Sequence, residues 1–206
     1  MAQRRIHNAA LFICDMQEKF RPAIHEFPKV VATTQKLLKA SQILHIPVFA
    51  TTQNKARLGE TVPELMLDSP GGIKTVFHGD KTLFSMLTPE TRAALSSLNP
   101  RLRSCVIVGI ESHICVAQTA LDLLKQGHDV YVIADGVSSV NKEEVPLALA
   151  RLRHAGAQVV TSESWMYEAM GDAKIPEFKE MSKVVKEYSE STKEVLQTLC
   201  KTENKL

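Results

Sequence analysis

Short apolar runs alternate along the chain with stretches in which apolar residues recur at the spacing of a helix. The apolar runs, which predict strands, cover residues 9–14, 47–51, 74–77, 104–108, 129–134 and 158–161. The amphipathic stretches, which predict helices, cover residues 28–44, 88–98, 116–124 and 143–155. Strands that helices cover on both faces lose the alternation of polar and apolar residues. The pattern therefore predicts a three-layer α/β/α fold around a six-stranded parallel sheet.

The residues between these elements support the same boundaries of strands and helices. Thr88 and Pro89 predict a helix start, Gly127 and Gly156 predict helix ends, and Ser162 is expected to cap the helix after the sixth strand. Residues 52–72 form a long connection rich in glycine and proline, and long ordered connections are often functional. The last thirty residues predict polar helices. We expect one domain over residues 1–206, with a polar helical extension from about residue 176.

The predicted sheet indicates where to look for a site. A doubly wound sheet has the strand order 3-2-1-4-5-6, and its ligands bind beyond the carboxyl ends of the strands. Neither GxGxxG nor GxxxxGK[ST] follows a strand, so the phosphate cradles of dinucleotide and P-loop proteins are absent from the sequence. We therefore expect a Rossmann-like fold without a dinucleotide motif.

Charge and cysteine content narrow the class of protein. The net charge of +2 comes from 25 basic and 23 acidic residues, which are scattered apart from Arg101 and Arg103, and this balance argues against a nucleic-acid partner. No apolar run approaches the roughly 20 residues of a membrane span, so no membrane association is expected. Four cysteines in 206 residues do not make a disulfide scaffold. These features are typical of a cytoplasmic protein, with a mitochondrial location left open.

Two charged residues follow predicted strands. Asp15 comes directly after the first strand, where a carboxylate is costly unless it is paired or catalytic. The alternative role for this residue is an N-cap of the next helix. Lys81 follows the third strand, and nothing local distinguishes it from a solvated surface lysine.

Cys115 is the stronger candidate. It lies between the fourth strand and the helix that follows, where free N–H groups stabilise a thiolate and can also bind an oxyanion. The alternative is a small apolar residue that packs in the first helical turn. His113 is two residues away and would not face Cys115 on a helix, so a wall or surface position fits it better than the role of base.

Four short segments, in order along the chain, resemble the isochorismatase-like, or cysteine hydrolase, family. They are D-x-Q-x-x-F at residues 15–20, a lysine beside Phe-Ser at 81–85, Gly-Ile-Glu-Ser-His-Ile-Cys-Val at 109–116 and Ala-Asp-Gly-Val-Ser-Ser at 134–139. The resemblance extends from about residue 9 to residue 170. The CDMQEKF and KTLFSM segments are most similar to the branch of isochorismatase-domain-containing proteins.

The resemblance implies roles for these residues. Cys115 would be the nucleophile, Asp15 the general base and Lys81 the cation that holds both. It also implies a cis peptide bond between Ile110 and Glu111, which would turn the backbone N–H groups of Glu111 and Cys115 into an oxyanion hole. The candidates for contact with a substrate are Gln17, Phe20, Gln53, Phe84 and His113.

A metal or other cofactor is not expected. Nicotinamidases of the family carry Asp-x-His and a further histidine after the second strand, whereas residues 51–55 here are Thr-Thr-Gln-Asn-Lys. Of the histidines, only His25, His78 and His113 lie near the proposed pocket, and none pairs with a carboxylate at a ligand spacing. The predicted function is a metal-independent cysteine hydrolase of a small amide or related carbonyl compound.

Other functions remain open from the sequence. The chain could be a non-catalytic or regulatory protein that keeps the fold, a redox-responsive thiol protein without an obvious resolving cysteine, or a nuclease. A homo-oligomer is also expected, from the resemblance and from the apolar residues within 165–170. The alternative for those residues is a place in the core of the monomer.

Overall fold

Six parallel strands form one sheet in the order β3-β2-β1-β4-β5-β6 in a computed structural model, which describes residues 6–98 and 102–200. This order confirms the predicted topology. The strands are β1 (Ala9–Cys14), β2 (Val48–Gln53), β3 (Phe77–Lys81), β4 (Ser104–Ile110), β5 (Asp129–Ser138) and β6 (Gln158–Val160). All six residues of β1 are buried, because it lies in the centre of the sheet and helices cover both of its faces.

Within the described ranges, eight α-helices surround the sheet. They are α1 (Phe27–Ile43), α2 (Lys55–Leu58), α3 (Pro89–Leu98), α4 (Ala117–Lys125), α5 (Glu144–His154), α6 (Ser162–Met170), α7 (Phe178–Glu187) and α8 (Ser189–Leu199). One core lies beneath α1, α6 and α7, and the other beneath α3, α4 and α5. Along β1, Leu11 and Ile13 point into the first core, whereas Phe12 and Cys14 point into the second. None of the helices in the described ranges is long and apolar enough to cross a membrane.

Strand β3 differs from its prediction. The sequence predicted a strand at residues 74–77, but the strand begins at Phe77 and ends at Lys81. It pairs only with β2, from Phe49 opposite Phe77 to Gln53 opposite Lys81. An edge strand is covered incompletely, so the first four residues of β3 alternate between partly buried and exposed positions and form no apolar run. With these bounds, Lys81 is the last residue of β3 and belongs to the sheet.

The cap of α6 also differs from its prediction. The Oγ1 atom of Thr161, not the side chain of Ser162, accepts a hydrogen bond from the backbone N–H of Ser164, at 3.3 Å. Ser162 is the first helical residue, and both its backbone N–H and its hydroxyl donate to the carboxylate of Asp135. Ser162 therefore ties the start of α6 to β5 and does not cap the helix.

The predicted polar extension from about residue 176 contains α7 and α8 within the described residues, and both helices contact α1. Met181 and Val184 of α7 and Val195 of α8 are buried, so these polar helices cover one face of the fold with a narrow apolar stripe. Trp165, Met166 and Met170 of α6 are buried as well. The core alternative therefore accounts for them, and of this group only Tyr167 is exposed, at 46%.

Candidate active site

The carboxyl ends of β3, β2, β1 and β4 meet at one edge of the sheet. Cys14 at the end of β1 pairs with Thr51 on one side and with Gly109 on the other. Gly109 has φ 130°, and a Cβ at this position would collide with the backbone of Cys14. The glycine thus allows β4 to approach β1 closely, which brings the segment after β4 towards the segment after β1.

Asp15 is the first residue after β1 and turns the chain with a left-handed φ of 54°. It is only 1% exposed. Its carboxylate accepts hydrogen bonds from Lys81 Nζ at 2.7 Å, from Thr51 Oγ1 at 2.8 Å and from Cys14 Sγ at 3.5 Å. The next helical turn begins at Glu18 and places Gln17 in the cap position, so Asp15 is not a helix N-cap.

Lys81 is 4% exposed, which excludes the alternative of a surface lysine. Besides the contact with Asp15, its Nζ donates to Gln53 Oε1 at 2.7 Å and to the carbonyl oxygens of Leu83 and Phe84, each at 3.1 Å. Burial opposes the charge on Lys81, but the neighbouring charges of Cys14, Asp15 and Cys115 outweigh it and raise the pKa of the lysine. Lys81 is therefore a fully coordinated ammonium group at neutral pH.

Cys115 lies in a single π-helical turn, Ser112–Val116, which joins β4 to α4. Such turns occur frequently at functional sites. The cysteine is 6% exposed, and its sulfur lies within 4.8 Å of both a carboxylate oxygen of Asp15 and the sulfur of Cys14. The structure thus brings Asp15, Lys81 and Cys115 together from three separate strand ends.

The peptide bond that precedes the π-helical turn differs from the prediction. The peptide bond between Ile110 and Glu111 is trans, as are the other peptide bonds of the described residues, so the implied cis bond is wrong. Glu111 makes the turn through a left-handed φ of 57°, which redirects the chain without isomerisation of the peptide bond. The oxyanion hole at the N–H groups of Glu111 and Cys115 remains a prediction.

The side chains of Glu111 and His113 lie beside the turn. Glu111 Oε2 is 3.4 Å from His113 Nδ1, and burial raises the pKa of Glu111 although the charge of His113 opposes the rise. His113 Nδ1 also lies 3.2 Å from Ser139 Oγ. Ser139 accepts a hydrogen bond from the backbone N–H of Ser112 at 3.0 Å, so the segment after β5 fixes the position of the turn.

The other candidates for substrate contact occupy different positions. The amide of Gln17 donates to the carbonyl oxygens of Gln53 and Gly59 and accepts from the N–H of Gln53, so it fastens the long connection to β2. Gln53 itself contacts Lys81. Phe20 packs against the core beneath α1, and Phe84 is 52% exposed. Of these four residues, Gln53 and Phe84 are the ones that contact Lys81.

One group of side chains in the described residues could hold a metal ion, and the search for histidine ligands did not find it because it contains no histidine. This group consists of Cys14, Asp15 and Cys115, whose ligand atoms lie within 4.8 Å of one another. Thiolate and carboxylate ligands suit zinc. However, the ammonium group of Lys81 lies 2.7 Å from the same carboxylate and repels a cation at this place.

Comparison with known proteins identifies the family of this chain. The isochorismatase domain profile matches residues 9–164. The chain belongs to the isochorismatase family. Isochorismatase domain-containing protein 2 of Xenopus laevis is 46% identical over 180 residues, which cover 87% of this chain and 84% of that protein. The secreted isochorismatase effector Isc1 of Phytophthora sojae is 42% identical over 184 residues, covering 88% of this chain and 86% of that protein.

Solved structures of this isochorismatase-like fold agree. The MAR1 ribonuclease of Caenorhabditis elegans has a TM-score of 0.80 at 39% identity and covers 86% of this chain and 89% of that chain. The YcaC protein of Escherichia coli, described as an octameric hydrolase of unknown specificity, has a TM-score of 0.76 at 20% identity, with 92% of each chain covered. The second likeness shows the fold alone. The family match and the curated relatives support the isochorismatase-domain-containing branch and a hydrolase-like fold.

Proposed function

We propose that the protein is a metal-independent cysteine hydrolase that acts on a small amide or related carbonyl compound. The observation that carries the proposal is the convergence of Cys115 with a buried Asp15–Lys81 ion pair at the carboxyl edge of the sheet. A thiol is activated as a nucleophile by an adjacent base or cation. Here the carboxylate of Asp15 lies within 4.8 Å of the sulfur, Lys81 is paired with that carboxylate at 2.7 Å, and both residues are buried.

Each of the three residues has a role in the proposed reaction. The sulfur of Cys115 attacks the carbonyl carbon while Asp15 takes up the thiol proton, and the leaving amine then accepts that proton as the C–N bond breaks. A water molecule, deprotonated by Asp15, next attacks the thioester and releases the acid and the thiol. Lys81 keeps Asp15 oriented and compensates its charge. The sulfur lies within 4.8 Å of the carboxylate, and hydrogen bonds between catalytic groups often tighten only when a substrate binds.

The surroundings of the site favour a small and partly apolar substrate. Leu83 and Phe84, whose carbonyl oxygens contact Lys81, expose 54% and 52% of their surface. Cys115 itself is 6% exposed, so only a slim group can reach its sulfur. A short acyl group at the sulfur with an apolar remainder against Phe84 fits this arrangement.

A panel of small amides, thioesters and esters, assayed with wild type beside Cys115→Ala and Cys115→Ser, tests the proposal. We expect hydrolysis of at least one compound by wild type and none by Cys115→Ala, with Cys105→Ala as a control that leaves the site intact. Extensive dialysis against EDTA should leave the rate unchanged. Activity in Cys115→Ala, or activity lost to the chelator and restored by zinc, would contradict the mechanism. A folded protein that hydrolyses nothing would favour a non-catalytic role.

A second candidate is cleavage of RNA, which the 39% identity to the C. elegans MAR1 ribonuclease favours. The balanced charge of the chain gives it little electrostatic attraction to RNA. Incubation of wild type and Cys115→Ala with single-stranded RNA at several salt concentrations separates the two candidates. Cleavage that requires Cys115 and weakens with salt would favour the ribonuclease.

We also propose a homo-oligomer in the cytoplasm. The assembly is suggested by the octameric YcaC protein and by the exposed apolar side chains of Leu83, Phe84 and Leu147. The location is suggested by four free cysteines. Light scattering should give a mass above the 22.8 kDa of one chain. A monomer at micromolar concentration would remove the assembly from the account but not the catalytic group.

A further inference from the structure

A second cysteine lies beside the proposed nucleophile. Cys14 ends β1 and points into the same core as Cys115, and the two sulfur atoms lie within 4.8 Å of each other. No sequence pattern pairs them, since 100 residues separate them and no CxxC motif is present. We infer that Cys14 is a resolving cysteine: after a peroxide oxidises Cys115, Cys14 closes a disulfide with it.

The two thiols differ in access to solvent. Cys14 is fully buried, whereas Cys115 retains 6% exposure. A peroxide molecule, which is little larger than water, therefore reaches Cys115 first. Lys81 provides a positive charge that stabilises a thiolate there. Burial, a hydrogen bond with Cys115 and the charge of Asp15 raise the pKa of Cys14 well above its usual value, so Cys14 stays protonated until it reacts.

The reaction balances with a peroxide as the only added reagent. The Cys115 thiolate attacks one peroxide oxygen, the O–O bond breaks, and a sulfenic acid and hydroxide form. The sulfur of Cys14 then attacks the sulfenic sulfur and passes its proton to Asp15, whose Oδ2 lies 3.5 Å from it. The departing hydroxide takes up that proton as water. Overall, two thiols and one hydrogen peroxide give one disulfide and two waters.

The required movement falls on Cys115. A disulfide needs a sulfur–sulfur distance of about 2.05 Å, so the two sulfurs must approach by up to roughly 3 Å. Cys14 is fixed in the central strand of the sheet, whereas Cys115 lies in a π-helical turn, which is not part of a regular helix. A rotation of the Cys115 side chain with a small shift of the turn closes the gap.

The disulfide would protect the site from permanent damage. Without a resolving thiol, a sulfenic acid is oxidised further to a sulfinic acid, which ordinary thiol reductants do not restore. With Cys14 present, oxidation ends at a bond that a dithiol reductant reverses. The consequence for activity, a reversible loss of the nucleophile, rests on the proposed function. The disulfide itself does not.

The test is mass spectrometry after treatment of the full chain with hydrogen peroxide. The intact mass is measured first, and the protein is then alkylated in denaturant, digested without reductant and analysed as peptides. We expect an intact mass lower by two hydrogens and a peptide that links Cys14 to Cys115, both reversed by dithiothreitol. In Cys14→Ser the linked peptide should be absent, and sulfinic acid at Cys115 should accumulate about 10-fold faster. Cys105→Ala, which removes another buried thiol, should behave as wild type.

Two results would overturn the inference: sulfinic acid at Cys115 of wild type without a linked peptide, or a link from Cys115 to Cys200. The wild-type peptide map decides this even if Cys14→Ser fails to fold, and circular dichroism identifies that failure. Since the readout needs no substrate, a missing disulfide and a missing hydrolase activity are distinguished. Each can occur without the other.

Discussion

Two lysines are buried in the part of the chain that the structure describes, and their surroundings differ. Lys81 at the edge of the sheet meets a carboxylate at 2.7 Å and three further oxygen atoms within 3.1 Å. Lys36 in α1 is 1% exposed, and its one hydrogen bond among the described residues is to Thr192 Oγ1 of α8, at 2.8 Å. Both ammonium groups have lost water, but only Lys81 has gained a full set of acceptors.

The pKa values of the two lysines follow from this difference. Burial lowers the pKa of Lys36, and the more distant charges of Asp135 and Glu163 oppose the shift without reversing it. At Lys81 burial acts in the same direction, but the adjacent charges prevail and raise the pKa. Burial of a lysine is therefore not by itself a sign of function. A lysine that is closely paired with a carboxylate beside a candidate nucleophile is a better sign of function.

The largest effect is expected from Lys81→Met. It leaves the carboxylate of Asp15 buried without its cation, and breaking a buried ion pair costs about 3–5 kcal/mol. The free energy of unfolding, measured in urea, should fall by that amount, and hydrolysis should fall by at least about 100-fold.

The double variant Asp15→Asn/Lys81→Met is the matched control for that loss. It leaves no unpaired charge and should regain part of the stability while remaining inactive. A single Lys81→Met variant that is as stable as wild type would show that the ion pair is not the main stabilising contact of Lys81.

A smaller effect is expected from Lys36→Met. The variant loses a hydrogen bond of about 1 kcal/mol but is also relieved of a poorly compensated buried charge, so stability should change by less than roughly 1 kcal/mol in either direction. Hydrolysis should be unchanged. Thr192→Val removes the acceptor and keeps the charge, and it should be the more destabilising of the two. A loss of several kcal/mol in Lys36→Met would contradict the comparison.

The smallest effect is in the pH dependence of stability. Because the folded pKa of Lys36 is lowered, the unfolded chain binds more protons between that value and the unfolded value of about 10.4. The stability of wild type relative to Lys36→Met should therefore rise with pH through this window. The folded pKa of Lys81 is raised, so its contribution is complete below about 10.4 and is lost as the pH rises through the folded value.

Urea unfolding between neutral pH and about pH 11 measures both differences. The wild type should gain on Lys36→Met as the pH rises, and it should keep its advantage over Lys81→Met until the lysine pKa of about 10.4 is approached. A relative stability of wild type that falls with pH in the Lys36→Met comparison would reverse the assigned sign.

The sheet could be predicted from the sequence because its buried strands are continuous apolar runs, whereas the helices between them carry apolar residues at helical spacing. The bounds predicted for β1 coincide with Ala9–Cys14, and the strand order is confirmed. The bounds of β3 could not be predicted, since an edge strand such as Phe77–Lys81 carries no apolar run. The burial of Lys81 could not be predicted either, because its acceptors come from Gln53 and from carbonyl oxygens that no local pattern specifies.

Other features depended on contacts between distant segments. No sequence pattern distinguishes Cys14 from the rest of its strand, because a continuous apolar run does not indicate which face each residue occupies. The sequence pattern of α1 does not predict the burial of Lys36, because this burial depends on α8, whose Thr192 lies 156 residues later. Ser139 was included in a family motif, but its bonds to the π-helical turn need the fold. The resemblance indicated Asp15, Lys81 and Cys115 as candidates, whereas their neighbours depend on the packing of distant segments.

Competitive alkylation of the four cysteines tests the central claim most directly. Burial raises the pKa of Cys14 well above its usual value and that of Cys105 and Cys200 to about 12, so these three thiols should react slowly with iodoacetamide at neutral pH. Peptide mapping should show that Cys115 is labelled first. Labelling should slow by about 10-fold or more in Lys81→Met, because the cation that stabilises the thiolate is gone. It should be unchanged in Lys36→Met. Labelling of Cys200 before Cys115, or equal rates in the two lysine variants, would contradict a nucleophile activated by the Asp15–Lys81 pair.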